Sequence, residues 1–156
     1  MPLLGPVAGC DAKTYYDSAD SIATPTWVEI ANIKDAAEPD SADKLDVSSR
    51  ASRNKKYWSG MVDQGITTQY QYQKGITDTV FAALKAKKES GDLIQLAVAD
   101  GAIAGSGTTY FKDWYVITKF DRKEDLGGTI IFDLEFAPAP KFNAGVLVDR
   151  SYVTIA

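Results

Sequence analysis

The chain contains no histidine and a single cysteine, Cys10. Without histidine, a Ser-His-Asp or Cys-His arrangement is impossible, and the commonest general base near neutral pH and the commonest zinc ligand are both missing. One cysteine forms no internal disulfide, and with no base near it in sequence Cys10 reads as an unpaired thiol rather than a nucleophile. No apolar run approaches the ~18 residues that a membrane-spanning helix needs. Cations are also in short supply: 17 Lys and Arg stand against 21 Asp and Glu, a net charge of -4. A mildly acidic chain is poorly suited to wrapping nucleic acid, because phosphate binding is driven by cationic neutralisation. What is present suits a folded domain. The 156 residues are 45% apolar and 24% charged, close to globular averages, and one domain of this size buries roughly 70% of its unfolded surface without a disulfide or metal.

Several local patterns point to chemistry and lack the context for it. Val7-Ala8-Gly9-Cys10 has the look of a lipoprotein cleavage site, yet no Lys or Arg precedes Cys10, and Gly5 and Pro6 interrupt the short leucine pair. The expectation is a protein without a signal peptide, made and kept in a reducing cytoplasm. Gly101 to Gly107 is glycine-rich, but a strand-like Thr-Thr-Tyr-Phe-Lys follows where a phosphate loop needs a helix start. The acidic run 35–46 lacks the spacing of a helical calcium loop. Asp133 and Glu135 share one face of a strand, which suits a glycosidase pair less well than a polar surface. No cofactor, metal or catalytic residue is expected, and the chain reads as a non-enzyme.

The organisation is mainly β. Thr26–Ile30 is aromatic and β-branched and predicts a strand. Residues 35–46, with Asp35, Glu38, Asp40 and Asp43, predict an acidic loop running into a short strand at 45–49. Residues 50–58, with Arg50, Arg53, Lys55 and Lys56 followed by Tyr57 and Trp58, predict a basic loop ending in an aromatic pair. Ile66–Tyr72 alternates cleanly. Thr77 or Asp78 caps a helix over about 78–90, with Ile76, Val80, Phe81 and Leu84 as its apolar stripe, lysines near its end and Gly91 as its stop. Strands follow at 93–99, 110–120 and 129–136, the last with Ile130, Phe132, Leu134 and Phe136 opposite Asp133 and Glu135. Residues 145–155 form a final strand or an extended tail. About seven strands and one helix without strand–helix alternation predict a β-sandwich or partly closed barrel with one flanking helix. The whole chain, 1–156, reads as one domain with an N-terminal arm over about 1–25, which holds one short strand at Lys13–Tyr16, and a C-terminal extension over about 141–156.

The order and spacing of these elements resemble the tail tube proteins of long-tailed phages. The stretches that carry the likeness are Trp27–Asp35, Lys44–Ser52, Tyr57–Gly60, the helix with Phe81 and Leu84, Leu93–Gly101, Val116–Phe120 and the long strand running into Pro138. The resemblance implies a structural subunit of the virion tail, synthesised in the host cytoplasm, that forms six-membered rings stacking into a hollow tube. Neighbouring sheets would line the lumen, arms or long loops would bridge the rings, other tail proteins would meet the tube ends, and DNA would pass without specific binding; no membrane is involved. A secretion-system or injection-particle tube is a variant of that reading. Read against this picture, Asp35, Glu38, Asp40 and Asp43, with Arg50, Arg53, Lys55, Lys56, Tyr57 and Trp58, are candidates for the subunit interface, since head-to-tail contacts need two complementary patches. Asp133 and Glu135 are candidates for the lumen. The alternative is a small β-sandwich binding module that recognises carbohydrate or protein through exposed Trp58, Trp114 or Tyr110.

Overall fold

Alternating burial lays out the strands. Ile66, Thr68 and Tyr70 are buried while Thr67, Gln69 and Gln71 point away, so one face of this segment meets a core and the other does not. The computed structural model describes residues 12–37, 41–48, 54–72, 78–124 and 129–156. In chain order they form β1 (Lys13–Asp17), β2 (Trp27–Glu29), β3 (Ile33–Ala37), β4 (Ser41–Asp46), β5 (Tyr57–Asp63), β6 (Ile66–Gln71), α1 (Thr79–Ser90), β7 (Ile94–Ala99), β8 (Thr109–Lys123), β9 (Ile131–Pro138), β10 (Phe142–Asn143), β11 (Val146–Leu147) and β12 (Ser151–Thr154).

Eight strands make one antiparallel sheet in the order β2-β1-β7-β8-β9-β6-β3, with β12 added on β8. Its two ends, β2 and β3, are joined by only residues 30–32. The Ile30 amide donates to the Thr14 carbonyl and the Asn32 carbonyl accepts from the Gln71 amide, each at 2.9 Å. The ladder therefore runs into the link from both sides, and of the two architectures the sequence predicts, a β-sandwich or a partly closed barrel, the curling sheet fits the barrel. Inside it lie Tyr16, Ile30, Ile66, Tyr70, Ile94, Leu96, Tyr115, Ile117, Leu134 and Phe136. A smaller cluster of Tyr15, Ala97, Ala99 and Tyr110 sits on the opposite face, against Trp27, Ile103, Val153 and Ile155.

The helix closes the core. Asp78 caps it, its Oδ1 accepting from the Phe81 amide at 3.0 Å, and its Oδ2 accepts from the Tyr70 hydroxyl at 2.5 Å. Burial, reinforced by that carboxylate, pushes the Tyr70 hydroxyl up from its ordinary value. Gly91 ends the helix in the left-handed conformation at φ 73°, which costs a residue without a Cβ least. Leu84 is fully buried, and Phe81 meets Tyr72 and Phe132 at 4.8 Å and Phe120 at 5.5 Å between ring centroids. Ile76, expected on the same stripe, lies outside the described residues.

The short strand expected within the N-terminal arm is β1, and it lies inside the sheet: Tyr15 and Tyr16 serve the two clusters on its two faces and β1 is paired on both edges. The buried Asp17 carboxylate then shapes the following turn, accepting from the amides of Ala19, Ser21 and Thr26 at 2.7–2.9 Å. Of the two readings of residues 145–155, the final strand is the one found, with Tyr152 opposite Phe111 and Val153 opposite Tyr110. Residues 35–46, expected as an acidic loop, hold β3 and β4, and β4 pairs with β5 as a separate two-stranded hairpin. Every residue of β4 is exposed, so no buried periodicity marks it as a strand.

Removing the Leu84 side chain leaves a cavity at the helix–sheet contact. Leu84→Ala is expected to cost about 2–5 kcal/mol, read as a shift in the urea unfolding midpoint of the unassembled chain.

Candidate assembly surfaces

The sheet changes character along β8. Between Ile117 and Lys119 its pairing with β9 slips by one residue. In a regular strand Ile117 and Phe120 would face opposite ways. The bulge at Thr118 instead keeps both on the core side and turns Lys119 and Asp121 outward. Beyond it, β8, β9, β6 and β3 form a four-stranded section, apolar inside and polar outside.

Cross-strand register assembles the outer face. Glu135 is opposite Thr67 on one side and Lys119 on the other, Asp133 is opposite Gln69 and Asp121, and Lys34 is opposite Gln69. Lys119 lies 3.4 Å from Glu135 and 3.8 Å from Asp121, and Lys123 pairs with Asp133. The Asp133 side chain is 15% exposed. Its bond to Lys123 holds the carboxyl below its ordinary value, with the charge of Lys119 and a bond from Gln69 adding to the effect and burial opposing it. Among the described side chains, Lys34, Lys119 and Lys123 balance Asp121, Asp133 and Glu135, so the face is polar without net charge.

Both edges of this section are unpaired among the described residues. β3 pairs with β6 alone. β7 leaves β8 at the Ile94–Tyr115 pair, so the edge of β8 from 116 to 123 opposite β9 has no neighbour. The opposite half of β8 is fully used. β7 lies on one edge, and β9 followed by β12 lies on the other.

The β4–β5 hairpin projects from the end of the section where β6 begins. It carries exposed Asp43, Lys55, Lys56 and Tyr57, and Leu45 at 53% exposure. Of the sequence-predicted interface residues, Asp35 falls in β3 and Trp58 in β5, while Glu38, Asp40, Arg50 and Arg53 lie outside the described residues. Of the described members of the two blocks, Asp43, Lys55, Lys56, Tyr57 and Trp58 belong to the hairpin and Asp35 does not. A second projection, β10–β11, exposes Phe142, Val146 and Leu147.

Two features escaped the sequence reading. Arg150 is clamped in the sheet: its guanidinium donates to the Tyr115 hydroxyl at 2.7 Å and the Gln64 carbonyl at 3.4 Å, lies 3.5 Å from Asp113 and sits 4.3 Å above the Phe111 ring. Nothing in its local sequence marks it, because its partners come from two distant segments, Gln64 and the β8 residues Phe111, Asp113 and Tyr115. The aromatics offered as a binding platform are also placed differently: Trp114 is 1% and Tyr110 9% exposed. Trp114 lies under Lys141, whose ammonium is 4.5 Å from the ring, and Tyr110 packs edge-on to Trp27, so neither presents a face to a ligand. No helix among the described residues is long and apolar enough to cross a membrane.

A depressed carboxylate stabilises the fold above its unfolded value, and the contribution disappears as pH falls through the lowered folded value. For Asp133 the window therefore opens near the ordinary 3.8 and extends downward. Asp133→Asn is expected to be less stable than wild type at neutral pH, with the gap narrowing between about pH 5 and pH 2, in urea midpoints measured across that range.

No family model and no curated protein matches the chain. Solved structures do match. The SPP1 tail tube aligns at TM-score 0.72 and 12% identity, covering 97% of this chain and 81% of that one. A chain in the tail of an empty gene transfer agent particle, solved with C6 symmetry, aligns at 0.64 and 19% identity over 90% of this chain and 96% of that one. A chain of the sheath–tube complex of an extracellular contractile injection system aligns at 0.63 and 8% identity over 98% and 95%. At these identities the likeness is one of architecture, and the architecture of this chain is that of a phage tail tube protein.

Proposed function

We propose that this chain is a non-enzymatic subunit of a virion tail, forming six-membered rings that stack into a hollow tube through which DNA passes. The observation that carries the reading is the four-stranded section with a polar outer face and an open edge on each side. Unpaired edges invite another chain. Successive strands from β8 to β3 are antiparallel, and four is an even number. The β3 edge of one copy can therefore receive the β8 edge of the next with the antiparallel alternation unbroken. Such a joint is head-to-tail and closes into a ring. The C6 symmetry of the gene transfer agent tail supports six as the number of copies.

Continuing the sheet around the ring turns the polar face of each copy toward the axis, with Asp133 and Glu135 in the lining. Balanced charges suit passage of a polyanion: DNA carries one charge per about 1.7 Å, and an unpaired basic lining would hold it. Asp35 of β3, the hairpin residues Asp43, Lys55, Lys56, Tyr57 and Trp58, and Glu38, Asp40, Arg50 and Arg53 of the same charge runs then belong to contacts between copies. Other tail proteins meet the same edges and projections at the two ends of the tube. A related tube in a contractile injection particle uses the same architecture.

Two measurements test this reading. Concentrated protein is expected to form rings or tubes in negative-stain electron microscopy, and hydrogen exchange at residues 33–37 and 116–123 should slow on assembly. Tubes in which both segments still exchange as in the free chain would discard the edge joint, and a chain monomeric at every concentration would discard the tube. Reversing Arg53, Lys55 and Lys56 together to glutamate is expected to reduce polymerisation, read by light scattering and tube counts, without changing the unfolding midpoint of the monomer.

A further inference from the structure

The covered half of the sheet carries three polar side chains buried side by side. Gln95 of β7 is opposite Trp114 of β8. Tyr16 of β1 is opposite Leu96, so Asp17 comes next in register beside Gln95. Asp17 and Gln95 each lie two residues from members of the smaller cluster, Tyr15 and Ala97, and so share its face of the sheet. Exposure falls to 2% at Gln95 and to 1% at Trp114 and Asp17.

Two of the three are left with an unanswered group. Among the described residues, neither the Gln95 Oε1 acceptor nor the Trp114 Nε1–H donor has a hydrogen-bond partner. The two side chains are cross-strand neighbours, yet they do not bond each other. Buried polar side chains are overwhelmingly hydrogen-bonded, and an unmade bond costs the group its full desolvation. The cover over Trp114 does not answer its N–H. The Ala139 amide donates to the Trp114 carbonyl at 2.9 Å, and the Lys141 ammonium sits 4.5 Å from the ring centroid.

The chemistry of the row selects the occupant. A lone donor beside a lone acceptor calls for a molecule that both accepts and donates. An anion would suit the indole N–H but leave Gln95 Oε1 unpaired and meet the Asp17 carboxylate. A metal cation would suit the two oxygens and be opposed by the N–H. Water accepts and donates at once, and buried waters commonly make about three bonds. Asp17 has room for the third: its Oδ1 accepts from Ala19 and Thr26, whereas Oδ2 accepts from Ser21 alone, and an ionised carboxylate offers about four lone-pair sites.

We propose that one buried water is built into this face of the sheet, accepting from Trp114 Nε1–H and donating to Gln95 Oε1. Its second proton has the spare lone pairs of Asp17 in the same row. The water joins the side chains of β8 and β7, and through Asp17 those of β1, where the backbone ladder alone would otherwise link the three strands. The site does not depend on the tube reading.

Nuclear magnetic resonance of the unassembled chain tests it. The Trp114 indole proton is identified by its loss in Trp114→Phe, and Trp27 and Trp58 serve as internal comparisons. A water held in the fold tumbles with it. The water cross-peak at the Trp114 indole proton is therefore expected to have opposite signs in laboratory-frame and rotating-frame Overhauser spectra, whereas proton exchange gives the same sign in both. Gln95→Met, close in size and without the acceptor, is expected to lose that peak while the other indole signals stay in place. A wild-type Trp114 proton without a peak of opposite signs overturns the site, whether the side chains bond directly or stay dry. A peak at full intensity in folded Gln95→Met also overturns it, by removing Gln95 from the site. If Gln95→Met does not fold, the signs of the wild-type peak decide.

Discussion

The molecule depends on one strand whose two halves face different surroundings. The first half of β8 is covered on both faces and paired on both edges, and it carries Tyr115 and Tyr110 into two separate clusters and buries Trp114. The second half has one polar face and one open edge. The single-residue slip at Thr118 joins the halves. Without it, Phe120 would face outward, the aromatic cluster under the helix would lose a wall, and Lys119 would be driven inward. The bulge thus fixes both the core beneath the helix and the balanced polar surface above it. Assembly and stability share a single constraint.

Much of the architecture can be read from the sequence where one face of a segment meets the core. Ile66–Gln71 and Ile131–Pro138 are recognisable because side chains two apart share a face, and the helix is recognisable because Asp78, Leu84 and Gly91 supply cap, anchor and stop. The β4–β5 hairpin is hidden for the same reason in reverse. None of the β4 side chains is buried, so nothing forces hydrophobic residues into alternation, and the segment reads as charged loop. Lys13–Asp17 is legible as a short strand but not as an interior one: it is covered on both faces, and Tyr15 and Tyr16 side by side show no period. Arg150 lies beyond local reasoning, since its partners Gln64, Phe111, Asp113 and Tyr115 are gathered only by the fold.

The candidate surfaces divide in the same way. The pair Asp133 and Glu135 is visible as the polar side of an alternating strand, but the lysines that neutralise them come from β8 and appear only once the bulge sets the register. The acidic and basic blocks are visible as charge runs. That Asp43, Lys55 and Lys56 share one hairpin comes from topology alone. The even count of strands in the polar section is what lateral closure requires.

The seat of Arg150 has a further consequence. By fixing the segment just ahead of β12, it holds that strand against the stretch of β8 that β9 has left uncovered. That stretch of β8 is therefore covered, and among the described residues the open edge moves outward to β12 itself. Loosening the guanidinium from its four partners would free the segment ahead of β12 and bare the start of β8 again.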